Sequence, residues 1–368
     1  MNPTTLYGVV LAALLTGSYL AWTRDAPSNN DDGVQILAAT ADELSRIVYT
    51  SEKLDLSLEA RKDDVGHYLW VSTTQRREEK KPPADPHGHG HDEPEEAAEG
   101  EKDGGASDGD EPKEVPEPEP EIVTTNKTFK AGAAGDKLLE KLAPMMAKRK
   151  LDAGDDVLAD MGLDAPESTL EIHREGKDPR IFDLGGETYG SRDRYIRDRQ
   201  SGVVYLIDKE LLGTLKRGVT ALPDRELLGI ETEDLTQVRV ATAIESIEFE
   251  HINRDDPEAA GWRPLDEEEA DESAGTWLGK FFKLRAQSYV QPDEVPVATQ
   301  QVFAVTTTGE DGTTRTLEVL EGSDAEGKEV WYGRSDYTRE LVKLHKTPTS
   351  QVAEDLSSIL DIPAEEDE

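Results

Sequence analysis

The first feature along the chain is an uncharged apolar run from Leu6 to Trp22 (LYGVVLAALLTGSYLAW), 17 residues long. That is near the lower limit for a helix that spans hydrocarbon. Tyr7, Tyr19 and Trp22 stand near its ends, where aromatic rings favour the headgroup interface. No Lys or Arg precedes the run and no small-x-small cleavage site follows it. The pattern therefore predicts an uncleaved, single-pass membrane anchor over residues 1–25 rather than a removed signal peptide. A tail this short stays behind while the longer body crosses, so the bulk of the chain is expected outside.

After a polar spacer (Ala26–Gly33), alternation takes over. The L-x-L-x-L of Leu54–Leu58 and the I-x-F-x-H of Ile247–His251 predict antiparallel strands with one face wet. Leu138, Leu139, Leu142, Met145 and Met146 recur at helical spacing and predict a helix over 136–150, which Pro144 kinks or divides. A short helix capped by Asp155 and stopped at Gly162 follows. Strands are expected over Thr169–His173, Arg180–Leu184, Arg194–Arg197 and Val203–Ile207, and then a helix capped by Asp208 that carries Leu211, Leu212 and Leu215.

This order recurs. Leu44, Ile47, Leu56 and Leu58 lead to Trp70, and Leu235, Val238, Ile247 and Phe249 lead to Trp262; the first four pairs share one sequence offset, and the tryptophan falls one residue later in the second copy. Leu278–Val290 then takes the place of Leu138–Met146, and Thr347-Pro348 opens a final helix with Val352, Leu356, Ile359 and Leu360. The expectation is an α+β chain of two tandem repeats of β-β-α-β-β-β-β-α, each an antiparallel sheet covered by helices and the pair preceded by one transmembrane helix. The first repeat spans 34–230, the second 231–362, and an acidic tail fills 363–368.

The first repeat is interrupted. Residues 75–130 are rich in Glu, Asp, Pro and Gly, too poor in apolar surface to offset chain entropy, and are expected to be a disordered acidic insertion. Glu78–Glu121 holds 17 acidic against 4 basic residues. The whole chain has 79 Asp+Glu against 41 Lys+Arg, a net charge of -38, so most of the excess acidity lies outside the insertion. A chain this acidic repels phosphate backbones, which excludes nucleic acid as a partner. With no cysteine there is no disulfide frame, thiolate metal site or cysteine nucleophile.

Candidate chemistry is sparse. Neither a Walker A loop nor an H-E-x-x-H, G-x-S-x-G or G-x-G-x-x-G motif is present, and no enzyme activity or cofactor is expected. His87, His89 and His91 form H-G-H-G-H beside Asp92 and Glu93; imidazoles two apart on a flexible chain can wrap Zn²⁺, Ni²⁺ or Cu²⁺, while drift in a tolerant linker gives the same pattern. The basic run Arg192, Arg194, Arg197 and Arg199 is either a docking surface for an acidic partner or a local balance for nearby acids. His67, His173, His251 and His345 read as ordinary sheet positions.

Several of these stretches together resemble a known family. They are the strand pair closing on Trp70-Val71, the helix with Leu138, Leu142 and Met146, the turn Met161-Gly162-Leu163-Asp164-Ala165-Pro166, the strands Tyr195-Ile196 and Val204–Ile207, and Leu222–Leu227. The chain resembles domain-of-unknown-function family 4340 over about Val34 to Ile362, with Pro223 as a departure from the family pattern. The resemblance implies a bacterial protein with an N-terminal membrane helix and a soluble α+β region, held at the inner membrane with its bulk in the periplasm. It implies partnership with an ABC transporter permease or gliding-motility auxiliary proteins, and carries over no binding residue. The expected function is thus a non-catalytic accessory or scaffold component of an ABC-type export or gliding-motility-like envelope complex. Metal handling through the His-rich insertion and an unrecognised envelope hydrolase are the alternatives. Because acidity is spread along the chain, added NaCl should screen self-repulsion and hold or raise the melting temperature; a steady fall at moderate salt contradicts this.

Overall fold

The three-residue gap between Leu44 and Ile47, and again between Leu235 and Val238, breaks strict alternation, and the fold explains it. Each pair flanks a bulge in the first long strand of a sheet, between Leu44 and Arg46 and between Leu235 and Gln237. The extra residue lets Leu44 and Ile47, like Leu235 and Val238, all face the core. The computed structural model describes residues 33–79 and 121–360 apart from Pro257, Val297 and Ala325. The predicted anchor Leu6–Trp22, His87, His89 and His91, and the tail 363–368 all lie outside the described residues. Among the described residues no helix is long and apolar enough to cross a membrane.

The chain opens with β1 (Val34–Leu37), β2 (Leu44–Ser51), β3 (Leu54–Asp63), β4 (Gly66–Glu79) and β5 (Glu121–Lys130). Helix α1 (Ala133–Leu142) is followed by β6 (Met145–Ala147), β7 (Arg149–Leu151), β8 (Ser168–Arg174), β9 (Lys177–Glu187), β10 (Arg194–Asp198) and β11 (Val204–Ile207). Helices α2 (Lys209–Lys216) and α3 (Gly218–Ala221) close this part. The second part runs through β12 (Leu235–Ala241), β13 (Ser246–Ile252), β14 (Gly261–Pro264), α4 (Glu272–Phe281) and β15 (Ala286–Tyr289). It ends with β16 (Thr299–Gly309), β17 (Thr314–Ser323), β18 (Glu329–Ser335), β19 (Val342–Leu344) and α5 (Lys346–Glu354).

The described residues are mostly β-sheet, in three antiparallel sheets with few helices, against the expectation of an α+β chain. One large sheet has the order β5-β4-β3-β2-β8-β9-β10-β11-β7 and the other β14-β13-β12-β16-β17-β18-β19-β15. Matching β2 with β12, β3 with β13, β4 with β14 and so on makes the two orders identical, with β5 the one strand added. Ile47 pairs Leu58 in the first sheet as Val238 pairs Phe249 in the second. The small third sheet, β1 with β6, has no counterpart.

Several expectations need correction. The repeat unit has eight strands, because Trp70 and Trp262 lie in strands of their own (β4, β14) and a further strand (β7, β15) follows each first helix. The helix expected over 136–150 stops at Leu142: Pro144 forces Ala143 into an extended conformation (φ -141, ψ 94), and Met145 and Met146 continue as β6. Asp155 opens a single 3-10 turn, not a helix, with Gly154 in the cap position. The last helix begins at Lys346 with His345 at its cap, so Thr347 and Pro348 lie in its first turn. The insertion is shorter than 75–130, since 75–79 and 121–130 are paired strands. Asp208 does cap α2, accepting from the Glu210 amide at 2.8 Å.

Alternating side chains of both sheets and the apolar stripes of the helices form the core. In the second part Trp277 of α4 stacks on Phe281, meets Phe303 edge-on, and donates its indole N–H to the Val352 carbonyl of α5 at 2.9 Å. That bond satisfies the one polar atom of a fully buried ring.

Candidate functional site

Strand β5, which has no counterpart in the second sheet, leads the chain to the junction between the two sheets. Its last residue, Lys130, and Asp224, just after Pro223, are held side by side by main-chain bonds: the Asp224 amide donates to the Lys130 carbonyl and the Gly132 amide to the Leu222 carbonyl, both at 2.9 Å. Lys130 Nζ then meets Asp224 Oδ2 at 2.6 Å, with each residue only 6% exposed. From the second sheet, the turn after β18 brings Tyr337. Its hydroxyl donates to the same Asp224 oxygen at 2.8 Å, and its ring centre lies 3.3 Å from the ammonium. The other carboxylate oxygen accepts from the Glu226 amide at 3.0 Å.

Two residues on, Arg339 reaches back to the first sheet. Its Nε donates to Asp63 Oδ2 at 2.8 Å and its Nη2 to Oδ1 at 3.2 Å, while the guanidinium lies 4.1 Å from the Tyr68 ring centre. Gln291, after β15, clasps the outer edge of β5: its Oε1 accepts from the Thr128 amide at 2.8 Å and its Nε2 donates to the Thr128 carbonyl at 3.2 Å. Tyr289 meets Trp70 edge-on. Gly229 sits beneath Tyr337 at φ +63, where a Cβ would lie 2.0 Å from the ring, so glycine is required on both conformational and steric grounds.

Burial sets the electrostatics. It lowers the Lys130 pKa in spite of Asp224, and raises those of Tyr337 and Tyr289, with Asp224 adding to both tyrosine shifts. Hydrogen bonds from Arg339 hold the Asp63 carboxyl below its usual 3.8. Tyr68, Lys130, Asp136, Asp224, Tyr337 and Arg339 border a cleft of about 220 Å³. Desolvation raises the Asp136 pKa at its rim. The central groups are nonetheless turned on one another: Asp224 accepts from a lysine, a tyrosine and an amide, and Lys130 is fixed between a carboxylate and a ring face. Chemically this arrangement is a latch between two sheets.

The predicted basic run falls elsewhere. Arg194 is buried, donates to the Gly185 carbonyl at 2.8 Å and pairs with Glu187. Arg197 and Arg199 converge on buried Asp183, at 2.8 and 2.7 Å. Arg194 and Arg197 leave β10 on opposite faces, and Arg192 stands in the preceding turn at φ +59. Three of the four therefore balance acids of their own sheet instead of forming one open face. Among the described residues no group of three or more His, Asp and Glu side chains is placed to hold a metal ion. Sequence reasoning missed the latch because Lys130 and Asp224 are 94 residues apart and Asp63 and Arg339 are 276 apart. The Leu-Pro-Asp stretch at 222–224 was the one local hint.

A family model described as a domain of unknown function (DUF4340) matches residues 132–302, narrower than the stretch 34–362. The match runs from the start of α1 into β16 and includes Asp224 but neither Lys130 nor Tyr337. No curated protein and no solved structure matches the chain.

Removing Asp224 leaves a buried ammonium and a half-buried hydroxyl unanswered. Asp224→Ala should cost about 3–5 kcal/mol in urea unfolding, and the double variant Lys130→Met with Asp224→Leu should recover most of that loss. Additive single losses in the cycle would contradict the coupling. Asp63 has a folded pKa below its unfolded one, so its contribution is complete above about 3.8 and is lost as pH falls through the folded value. The stability advantage of the wild type over Asp63→Asn should therefore shrink on acidification; a difference that stays constant from neutral to strongly acidic pH would argue against the pair.

Proposed function

With residues 132–302 matching the DUF4340 model, we propose that this protein is a non-catalytic accessory component, tethered to a membrane by Leu6–Trp22. Its two-sheet body serves as a binding or scaffold element of an ABC-type export or gliding-motility-like envelope complex. The observation that supports this most is the latch. Two-lobed enzymes keep reactive groups available in the cleft between lobes, whereas here the corresponding groups close on one another and join the lobes. A hydrolytic reading would draw on Asp136 and Asp224, which both border the cleft, but Asp224 is already committed to Lys130, Tyr337 and the Glu226 amide.

The mechanism under this reading is tethering. A body confined near the bilayer meets a membrane partner at a far higher effective concentration than one free in solution, without any new contact. Gentle detergent extraction of the tagged full chain should co-purify permease or auxiliary membrane proteins in stoichiometric amount. Recovery of the protein alone, under conditions that keep other membrane complexes intact, would overturn the proposal.

A further inference from the structure

Strand β5 carries one more feature. The Lys130 carbonyl accepts from the Asp224 amide, and both backbone groups of Thr128 are bonded by Gln291, so the main chain of these residues points away from β4. The two-residue period of an antiparallel strand gives Asn126, Thr124 and Ile122 the same outward direction. Among the described residues nothing bonds those outward N–H and C=O groups. The edge is thus closed at Thr128 and Lys130 and open from Ile122 to Asn126.

This open stretch keeps only one of the usual protections of a sheet edge, a lysine. Ile122–Thr128 contains no proline and a single charge, Lys127, while Ile122 is 65% and Val123 37% exposed. The other edges of the two large sheets are short: β7 has three residues, β15 four, and β14 four ending in Pro264. Strand β3 ends opposite Gln75 and the Arg76 amide still donates to the Lys53 carbonyl at 2.9 Å, so 77–79 and 121–123 continue as a two-stranded arm past the rest of the sheet. Such an arm is marginal alone.

We infer that the outer edge of β5, over Ile122–Asn126, receives an extended, lysine- or arginine-bearing segment of another protein as a tenth strand of the first sheet. This deepens the reading of the protein as a binding component and rests on it. Charge decides between occupants. The chain carries 79 acidic against 41 basic residues; the loop that supplies Gln291 continues through exposed Asp293, with Glu294 paired to Lys343 at 2.9 Å, and Glu78 and Glu79 are exposed on the strand beside the open stretch. A basic strand is drawn to this field, while a second copy brings an equal negative charge and is repelled. Main-chain bonds would supply affinity and the alternate side chains selectivity.

The test uses the full chain and two synthetic seven-residue peptides, one alternating lysine with valine and threonine, the other with glutamate in place of lysine. Binding is read by fluorescence anisotropy and by amide exchange. In the free protein the amides of Ile122, Thr124 and Asn126 should exchange quickly. The basic peptide should slow them and bind at least about tenfold more tightly than the acidic one. Thr124→Pro removes an outward donor that β4 does not use, and should weaken the basic peptide by about tenfold or more. Unchanged protection at Val123, Thr125 and Lys127 shows that the β4–β5 pairing survives, and Asn126→Pro provides an independent second variant. Slow exchange in the free protein, equal binding of both peptides, or binding insensitive to both prolines would overturn the inference. So would a dimer whose formation protects these amides. Loss of the envelope partner in detergent extracts with peptide binding retained would instead count against the wider function alone.

Discussion

A lysine ammonium and an aspartate carboxylate, each almost withdrawn from water, set the terms for how the two halves of this protein can be arranged. Taking two such charges out of solvent costs several kcal/mol each, and their attraction offsets this only where geometry and further hydrogen bonds are good. Lys130 and Asp224 meet that condition because the backbone around them is bonded first, amide to carbonyl, and because Tyr337 adds a donor to the carboxylate and a ring face to the ammonium. Tyr337 belongs to the second sheet and Lys130 to the first. Moving the sheets apart would expose a half-satisfied buried cluster, which is worse than none. The relative placement of the sheets is therefore specified by polar groups, while their stability comes from the apolar core beneath.

What could be read from the sequence divides along the same line. The elements built on local rules were legible: alternation at Leu54–Leu58, the Asp208 cap, and the shared spacing of Leu44, Ile47 and Leu58 with Leu235, Val238 and Phe249. That spacing reports a bulge and a register that both sheets share, so the internal repetition could be seen in it. Where local rules compete, reading was less secure. Leu138 through Met146 has helical spacing, but the constraint that Pro144 places on Ala143 ends the helix and turns the methionines into a strand. The polar composition around Thr124–Asn126 suggested an unstructured insertion, whereas pairing with β4 makes it a strand. The β-branched run Ile122–Thr125 and Phe129 favour that pairing, a local signal masked by the acidic sequence before it.

The junction itself was not legible. Arg192, Arg194, Arg197 and Arg199 drew attention because they cluster in the sequence, yet short strands place neighbours on opposite faces, and Asp183 lies directly across the ladder from Arg197. Clustering in sequence marked local neutralisation. The groups that join the sheets are single residues scattered from Asp63 to Arg339, and each looks unremarkable in its own context. Their function is created by topology, through strand ends and turns that converge only after both sheets have formed.

The two copies match strand for strand, but the contact between them is heterologous. The first contributes the end of β5, and the second answers with the turn after β18 and the residue after β15. Equivalent pieces do not meet equivalent pieces, and such a contact, repeated, would generate an open array rather than a closed pair. Two features stop the series at two. The second sheet has no counterpart of β5, so it offers no Lys130 or Thr128 to a further repeat. In the first sheet, the turn that corresponds to Tyr337–Arg339 folds back on its own strands through Arg199 and Asp183, and through Ser201 and Asp198. Asymmetry between otherwise identical sheets thus makes the junction and also limits the protein to one of them.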